Sequence, residues 1–236
     1  MRAERGPRVT VIDLYRLVAT PRGLEPWELP RDERRNLSSA VAPDFWPGFA
    51  VTAGSERFDP IVILDYDPEW GARFETWRGR LASALGPTVV RIEHVGSTAV
   101  PGLPAKPIVD IQVSVADLFD EEKYVAQLEA IGVQLRSRDD LHRFFRPFAN
   151  LPREVHVHVC AAGSGWERDH VLFRDYLRAS ADACARYAEA KREAAKVWSD
   201  DGWAYTDAKS EVIQALKREA EAWSASHRHE RTRSLE

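Results

Sequence analysis

Two short segments of the sequence alternate apolar residues with polar residues that can do acid–base or metal chemistry. In "PIVDIQV", Asp110 and Gln112 stand two residues apart, and in "EVHVHVC" His156 and His158 have the same spacing. Because a β-strand repeats every two residues, each pair lies on one face of its strand, opposite the valines. If the strands are neighbours, a carboxylate, an amide and two imidazoles converge. The same alternation is also typical of the solvated face of an antiparallel sheet.

A second candidate element precedes Asp110 in the segment "HVGSTAVPGLPAKP". A Gly-Ser pair that opens a helix presents backbone N–H groups and a hydroxyl, which suits phosphate. A simple turn with a serine helix cap explains Gly96 and Ser97 almost as well. Three prolines stiffen the loop that follows, and Lys106 stands just before the next predicted strand. Its ammonium group either contacts a ligand phosphate or is solvated.

The last third of the chain offers further cations. Lys209 lies on the same predicted helical stripe as several apolar residues, and Lys191 follows Tyr187 by four residues. A lysine on an apolar stripe either extends its head to solvent or faces an anion across a cleft. Arg174 and Arg178 are one helical turn apart. These residues are therefore candidates for neutralising an anionic ligand.

The elements that must position these residues read as a small sheet followed by helices. Apolar runs predict strands in "IVILDYD", "TVVRIEHV", "PIVDIQVSV" and "REVHVHVCAAG", and "VQLRSRDDLHRFFRPF" predicts a hairpin or a long bent strand. Apolar spacing with terminal acids and glycines predicts helices in "DPEWGARFETWRGRLASALG" and "DEEKYVAQLEAIG". From residue 166 onward the chain is predicted helical, with a break at "SDDGW". The fold class predicted is α+β (α/β-like), a small mixed sheet with flanking helices and a C-terminal helical tail.

Composition limits the functional classes. The 236 residues include 44% hydrophobic and 30% charged residues, as in ordinary globular proteins. A net charge of −4 argues against a general nucleic-acid binder. No apolar run approaches the length of a membrane span, no secretory signal is visible, and two cysteines are too few for a disulfide framework. We therefore expect a cytoplasmic protein.

Three segments differ in composition. Half of the fourteen prolines fall within the first 60 residues, and residues 1–58 also hold Trp27 and Trp46, which predicts an extension that packs on the main domain without forming its own core. Residues 59–226 are predicted to form that main domain. Residues 227–236 are predicted to be a polar tail.

The quoted motifs together resemble the GrpB family of nucleotidyltransferase-like proteins. The resemblance rests on "IEHVGSTAVPGLPAKPIVDIQVSV", "HVHV", "FRDYLR" and "AYTDAKSEVI", and it covers about 59–226. It implies a nucleotidyltransferase fold, in which a Gly-Ser pair holds nucleotide phosphate and three acids hold two divalent metals. Gly96, Ser97 and Asp110 match this pattern. Gln112 replaces the second acid, and His156 or His158 stands in place of the third.

This departure changes the chemistry that the resemblance implies. Magnesium prefers carboxylate oxygens, whereas one aspartate with one or two imidazoles suits zinc, manganese or nickel. The set Asp110, His156 and His158 could equally be a metal-free acid/base pair, because imidazole titrates near neutral pH.

Three functional hypotheses follow. The first is an enzyme acting on a nucleotide or another phosphorylated small molecule, in which Asp110, His156 and His158 are catalytic residues or ligands of a divalent metal. In it the phosphate is bound by Gly96, Ser97, Lys106, Arg174, Lys191 and Lys209. The second is a non-catalytic ligand-binding or folding-accessory module, since some family members are fused to dephospho-CoA kinase. The third is a protein-interaction surface.

Overall fold

The computed structural model describes residues 60–233, so the predicted extension 1–58 lies outside the described residues. The helices are α1 (Glu69–Leu85), α2 (Val125–Ala130), α3 (Gly165–Ala179), α4 (Ala181–Val197), α5 (Gly202–Asp207) and α6 (Ser210–Arg233). The strands are β1 (Val89–Val95), β2 (Val109–Val115), β3 (Val133–Arg138), β4 (His142–Pro147) and β5 (Val155–Ala161). Helix α6 continues into the segment predicted as a polar tail.

The five strands form one mixed sheet in the order β1-β2-β5-β4-β3. Strands β2 and β5 are parallel, whereas β1–β2, β4–β5 and β3–β4 are antiparallel pairs. A parallel pair requires a long crossover, which the chain from α2 to β4 supplies here. The predicted fold class, α+β with a small mixed sheet, flanking helices and a C-terminal helical tail, is confirmed.

One face of the sheet forms the main hydrophobic core with α1 and α2. Trp70, Trp77 and Leu81 of α1 are at most 4% exposed, and their spacing places them on one side of the helix. They pack in one cluster with the alternate valines of β2 and β5. Burial of side chains of this size contributes about 1.5–3 kcal/mol each. Because strands have a period of two, this packing turns Asp110 and His156 to the opposite face.

The opposite face of the sheet is covered in part by α3. Ser164 caps the helix by accepting a hydrogen bond from the backbone N–H of Glu167 at 3.2 Å. The Glu167 carboxylate in turn accepts hydrogen bonds from the Ser114 hydroxyl and the Gly163 N–H, both at 2.6 Å. These bonds fix the beginning of α3 against β2.

A second apolar cluster joins the loop between β1 and β2 to the C-terminal helices. Its buried members come from the loop, α3, α4 and α6: Val100, Leu103, Leu177, Ala183, Tyr187, Ala188 and Leu216. The cluster holds α4 and α6 over the proline-containing loop. It therefore places the C-terminal helices beside the start of β2.

Two predicted elements differ from the structure. The segment "IVILDYD" forms only an isolated bridge between Leu64 and Ala105, since it lies beside a loop and not beside a strand. Gly96 and Ser97 do not open an α-helix, because Ser97–Ala99 is a single 3-10 turn and Val100 returns to extended backbone before Pro101. The helix dipole expected at this point is therefore absent.

The predicted helices are divided more often than expected. The segment "DEEKYVAQLEAIG" contains a 3-10 turn at Glu121–Lys123 before the short α2. The long helical prediction from residue 166 breaks at Ser180, whose side chain accepts a hydrogen bond from the Ala183 N–H and begins α4. Among residues 60–233, no helix combines the length and the apolar character needed to cross a membrane.

Candidate functional site

The parallel register of β2 and β5 places the predicted polar residues side by side. Asp110 is the Cα partner of His156, and Gln112 is the Cα partner of His158. An Asp110 carboxylate oxygen lies 3.2 Å from His156 Nδ1 and 3.7 Å from His158 Nε2. We call Asp110, His156 and His158 the Asp–His cluster. Each side chain remains 21–30% exposed, so the cluster is open to a ligand.

The carboxylate of Asp110 stays ionised in this setting. Burial raises its pKa, but hydrogen bonds and charge interactions with His156 and His158 outweigh that effect and hold the pKa well below its usual range. The carboxylate is therefore an anionic ligand or a weak base at neutral pH.

The Asp–His cluster has the donor set of a single divalent metal site. One ligand atom from each of the three residues lies within 4.8 Å of the others. Ligands about 2.1 Å from a tetrahedral ion are about 3.4 Å apart, close to the distances between Asp110 and the two imidazoles. Two imidazoles and one carboxylate leave a coordination position open, as in catalytic zinc sites. The residues therefore fit one ion such as zinc, manganese or nickel.

Gly96 packs directly against Asp110 of the Asp–His cluster, and this close approach is possible because glycine has no side chain. Its φ is +70°, a left-handed conformation that favours glycine. A Cβ atom at this position would lie 2.4 Å from the Asp110 Oδ2 atom and 2.9 Å from its Cβ. The close approach arises because the adjacent Val95 is the Cα partner of Asp110. Glycine is thus required by both the backbone conformation and the carboxylate.

Three lysines converge beside the Asp–His cluster, and we call them the lysine cluster: Lys106, Lys191 and Lys209. Lys106 stands before β2, Lys191 on α4 and Lys209 directly before α6. The ammonium groups of Lys106 and Lys209 lie 4.2 and 3.8 Å from the centre of the Tyr205 ring. The Lys191 ammonium lies 4.7 Å from the centre of the Tyr187 ring. Cation–π contacts of this kind stabilise a desolvated charge.

The side chains of Lys191 and Lys209 do not extend to solvent. Lys191 is 2% exposed and Lys209 is 8% exposed, so the solvent-seeking alternative considered for these residues does not hold. Lys191 donates a hydrogen bond to the carbonyl of Pro104, in the loop between β1 and β2. The C-terminal helices therefore bury two ammonium groups against the loop that leads to Asp110.

Burial lowers the pKa of each lysine. The pKa of Lys106 falls to about 8, and those of Lys191 and Lys209 fall to about 7. Repulsion lowers the pKa values further, by Lys209 on Lys191, by Lys106 on Lys209 and by Arg153 on Lys106, whereas the Asp110 carboxylate raises all three. One carboxylate thus interacts with three ammonium groups, so the site carries fewer negative than positive charges when the lysines are protonated.

Ser97 lies near the lysine cluster, but without a helix behind it. A hydrogen bond between Ser97 and the Tyr187 hydroxyl lowers the pKa of that tyrosine, although burial dominates and raises the pKa to about 12. Ser97 therefore connects the turn after β1 to the ring beneath Lys191.

Arg174 is held by three partners on α3 and β1. It is 9% exposed on α3, and its guanidinium donates to Glu93 at 2.8 Å, Asp175 at 2.8 Å and the His94 carbonyl at 2.9 Å. Arg174 therefore joins α3 to β1, and its phosphate contact stays a prediction.

Tyr187 and Tyr205 contact the lysine cluster, but they were not predicted from the sequence to be residues of this site. Tyr187–Lys191 and Tyr205–Lys209 share the spacing Tyr-x-x-x-Lys, in "YAEAK" and "YTDAK". Residues four apart on a helix are neighbours, so the repeated spacing places a ring beside each ammonium. The repeated Tyr-x-x-x-Lys spacing is the sequence feature from which the two tyrosines could have been predicted.

An aromatic group borders the Asp–His cluster on its other side. The Trp166 ring stacks on His142 and His170, with centroids 5.0 and 3.7 Å apart, and lies 5.6 Å from His158. Burial lowers the pKa of His170 to about 4, so its imidazole is neutral near pH 7. These rings form a rigid wall next to His158.

The profile of the GrpB protein family matches residues 60–219. This chain belongs to the GrpB family. The family is also evident from a UPF0157 protein of Streptomyces coelicolor, which is 45% identical over 73% of this chain and 90% of its own length. A second UPF0157 protein, from Halalkalibacterium halodurans, is 40% identical over 69% of this chain and 83% of its own length.

Solved structures and a longer relative extend the GrpB comparison. The crystal structure of the conserved protein GrpB from Enterococcus faecalis matches with a TM-score of 0.63 and 29% identity, covering 69% of this chain and 99% of that one. Cid1 in complex with its short product ApU overlaps 56% of this chain and 42% of its own, with a TM-score of 0.41 and 17% identity, which says nothing about activity. A dephospho-CoA kinase of Mycolicibacterium paratuberculosis is 30% identical over 71% of this chain and 47% of its own length.

Replacement of Gly96 tests the close packing against Asp110. We expect Gly96→Ala to lower the free energy of unfolding by about 2–4 kcal/mol, from backbone strain together with displacement of the carboxylate. Gly102→Ala is the matched control, because Gly102 has a φ of +79° but open space at the Cβ position. It should lose only about 1–2 kcal/mol. Equal losses in urea denaturation would show that the contact with Asp110 carries no weight.

The lowered lysine pKa values predict a rise of stability with pH. Between about pH 7 and pH 10, Lys191 and Lys209 bind fewer protons in the folded than in the unfolded protein, so the free energy of unfolding increases with pH. The slope is at most about 1.4 kcal/mol per pH unit for each lysine. Lys191→Met should reduce this slope, whereas Lys196→Met, an exposed control on α4, should not. Urea denaturation of both variants at several pH values is the measurement, and identical slopes would contradict the assignment.

Proposed function

We propose that this GrpB-family protein binds a nucleotide or another phosphorylated small molecule and transfers a phosphoryl or nucleotidyl group. In this proposal the lysine cluster binds the phosphates. The Asp–His cluster supplies catalytic groups and the ligands of one divalent metal ion. Gly96 and Ser97, at the turn between the two clusters, are proposed to contact the phosphate through backbone N–H and hydroxyl groups.

The burial of Lys191 and Lys209, beside the half-buried Lys106, is the observation that carries the proposal. An ammonium group removed from water loses hydration free energy unless an opposite charge replaces it. Here Asp110 faces three lysines, and the histidines of the Asp–His cluster also engage its carboxylate. A phosphate ester with two or more negative charges would balance the remaining charge. We therefore take a multiply charged anion as the ligand class.

The residues of the two clusters divide the work of a transfer reaction. An acceptor hydroxyl attacks the phosphorus atom, and the bond to the leaving phosphate oxygen breaks. The proton of the hydroxyl passes to an imidazole of the Asp–His cluster when no metal is bound there, and to solvent when all three residues ligate a metal. Lys106, Lys191 and Lys209 would neutralise the charge that develops on the leaving oxygen. A metal bound to Asp110, His156 and His158 would supply Lewis-acid polarisation of the phosphoryl oxygens.

We also propose a cellular compartment and a class of partner for this protein. Cys160 and Cys184 are free thiols, which is consistent with the reducing cytoplasm that we propose as the location. The proposed partner is a small anionic molecule, and general nucleic-acid binding is not part of the proposal.

A non-catalytic ligand-binding module is the second candidate. The presence of Gln112, where the two-metal site of a nucleotidyltransferase would carry an acid, favours it, because an amide adds no negative charge to hold a second ion. Such a module would bind the anion through the lysine cluster and form no product. It could act as an accessory domain, for which the matched segment of the mycobacterial kinase is a precedent in sequence only.

Metal binding is expected to depend on Asp110. Calorimetric titration with Zn²⁺ or Mn²⁺ should give about one ion per chain, and Asp110→Ala should lower the affinity by at least about 100-fold because it removes the anionic ligand. Asp182→Ala, which removes an exposed carboxylate on α4, is the control. Unchanged binding by Asp110→Ala would exclude the metal site, and unchanged turnover of a nucleotide would exclude the enzyme.

Anion binding is expected to depend on the lysine cluster. ATP and inorganic tripolyphosphate should bind with affinities that fall as salt rises and as pH rises above about 7. Lys209→Met should weaken binding by about 10-fold or more, since it removes a desolvated charge, whereas Lys196→Met should not. Calorimetry with and without Mn²⁺, followed by product analysis, separates the candidates. Metal-independent binding without product supports the module, and equal affinities of both variants contradict the phosphate site.

A further inference from the structure

Two buried polar groups lie next to each other beneath the Asp–His cluster without hydrogen bonds. Gln112 is 0% exposed, and neither atom of its side-chain amide has a partner among the described residues. The Nδ1 atom of His158 is likewise buried and has no partner within residues 60–233. Buried polar atoms are nearly always hydrogen-bonded, so unpaired neighbours call for an explanation.

The strand register puts these groups within reach of each other. Gln112 and His158 are Cα partners in the parallel pair of β2 and β5, and both side chains lie on the face that carries Asp110. Parallel neighbours are about 4.8 Å apart at the backbone. The strand pairing therefore makes the Gln112 carbonyl oxygen a candidate acceptor for this imidazole.

The two nitrogens of His158 face different groups. Nε2 lies 3.7 Å from the Asp110 carboxylate, on the side of the proposed metal, and Nδ1 lies on the buried side. When Nε2 binds a metal, the proton of the imidazole must reside on Nδ1 and requires an acceptor. The buried carbonyl oxygen of the neighbouring amide is such an acceptor.

We propose that Gln112 is a positioning residue that accepts a hydrogen bond from His158 Nδ1–H and so directs Nε2 of that imidazole toward Asp110. The inference rests on the proposed metal site and adds the group that orients one of its ligands. It also gives a reason for an amide at this position. An ionised acid would add a charge and a competing ligand, whereas an amide accepts the hydrogen bond without either.

The other end of the amide continues the chain of contacts. Glu93 of β1 is the Cα partner of Gln112 on the side away from His158, and its carboxylate binds Arg174 at 2.8 Å. The strand register places Gln112 between His158 and a carboxylate held by an arginine. In the proposed arrangement the amide N–H of Gln112 would donate to Glu93, and the chain Arg174–Glu93–Gln112–His158 would connect α3 to the metal face.

The His158 Nδ1–H proton provides a test that needs neither metal nor activity. In the metal-free protein, at a pH where the imidazole carries both protons, nitrogen-edited NMR should show this proton in slow exchange with water and near the Gln112 side chain. Gln112→Leu should speed its exchange by at least about 10-fold, because the acceptor is lost. Gln127→Leu on α2 is the control. Equal exchange in wild type and Gln112→Leu would overturn the proposal.

Metal affinity provides the second arm. Calorimetry with Zn²⁺ alone should show a loss of about 10- to 100-fold for Gln112→Leu and none for Gln127→Leu. Wild-type affinity in folded Gln112→Leu overturns the proposal. Absence of Zn²⁺ binding to wild type with an altered Nδ1–H exchange in Gln112→Leu would reject the metal site but retain the hydrogen bond.

Discussion

The parallel register of β2 against β5 determines which polar side chains of this protein lie next to each other. A shift of one residue would turn the alternate valines away from the core and replace Asp110 and His156 by apolar neighbours. The burial of these valines against α1 therefore specifies which side chains meet on the other face. The hydrophobic effect fixes the positions of the polar groups, although those groups contribute little to the core themselves.

The lysine cluster depends on a second constraint, the packing of the C-terminal helices on the loop between β1 and β2. Strands alone present Asp110 and two imidazoles, and only α4 and the residues before α6 bring Lys191 and Lys209 to them. The apolar cluster around Leu103 supplies the free energy that holds two ammonium groups out of water. The protein thereby maintains a desolvated positive region beside an anionic centre, an arrangement that would pre-organise the proposed phosphate site.

Part of this arrangement could be predicted from the sequence. Period-two alternation correctly placed Asp110 with Gln112 on one face, because apolar burial enforces that period. The parallel pairing with β5 is a long-range property that no single strand reveals. The helical stripe located Lys209 but could not decide whether its head reaches solvent, since this depends on Tyr205 and on the loop. The partners of Arg174 on β1 could not be predicted either, because they are distant in sequence.

We propose that the Asp–His cluster and the lysine cluster form one ligand site. A crystal structure with Mn²⁺ and a non-hydrolysable nucleoside triphosphate would test this, with anomalous scattering used to locate the ion. We expect an anomalous peak bound by Asp110, His156 and His158, with phosphate density against Lys191 and Lys209. Phosphate density elsewhere, with both clusters unchanged at saturating ligand, would contradict it.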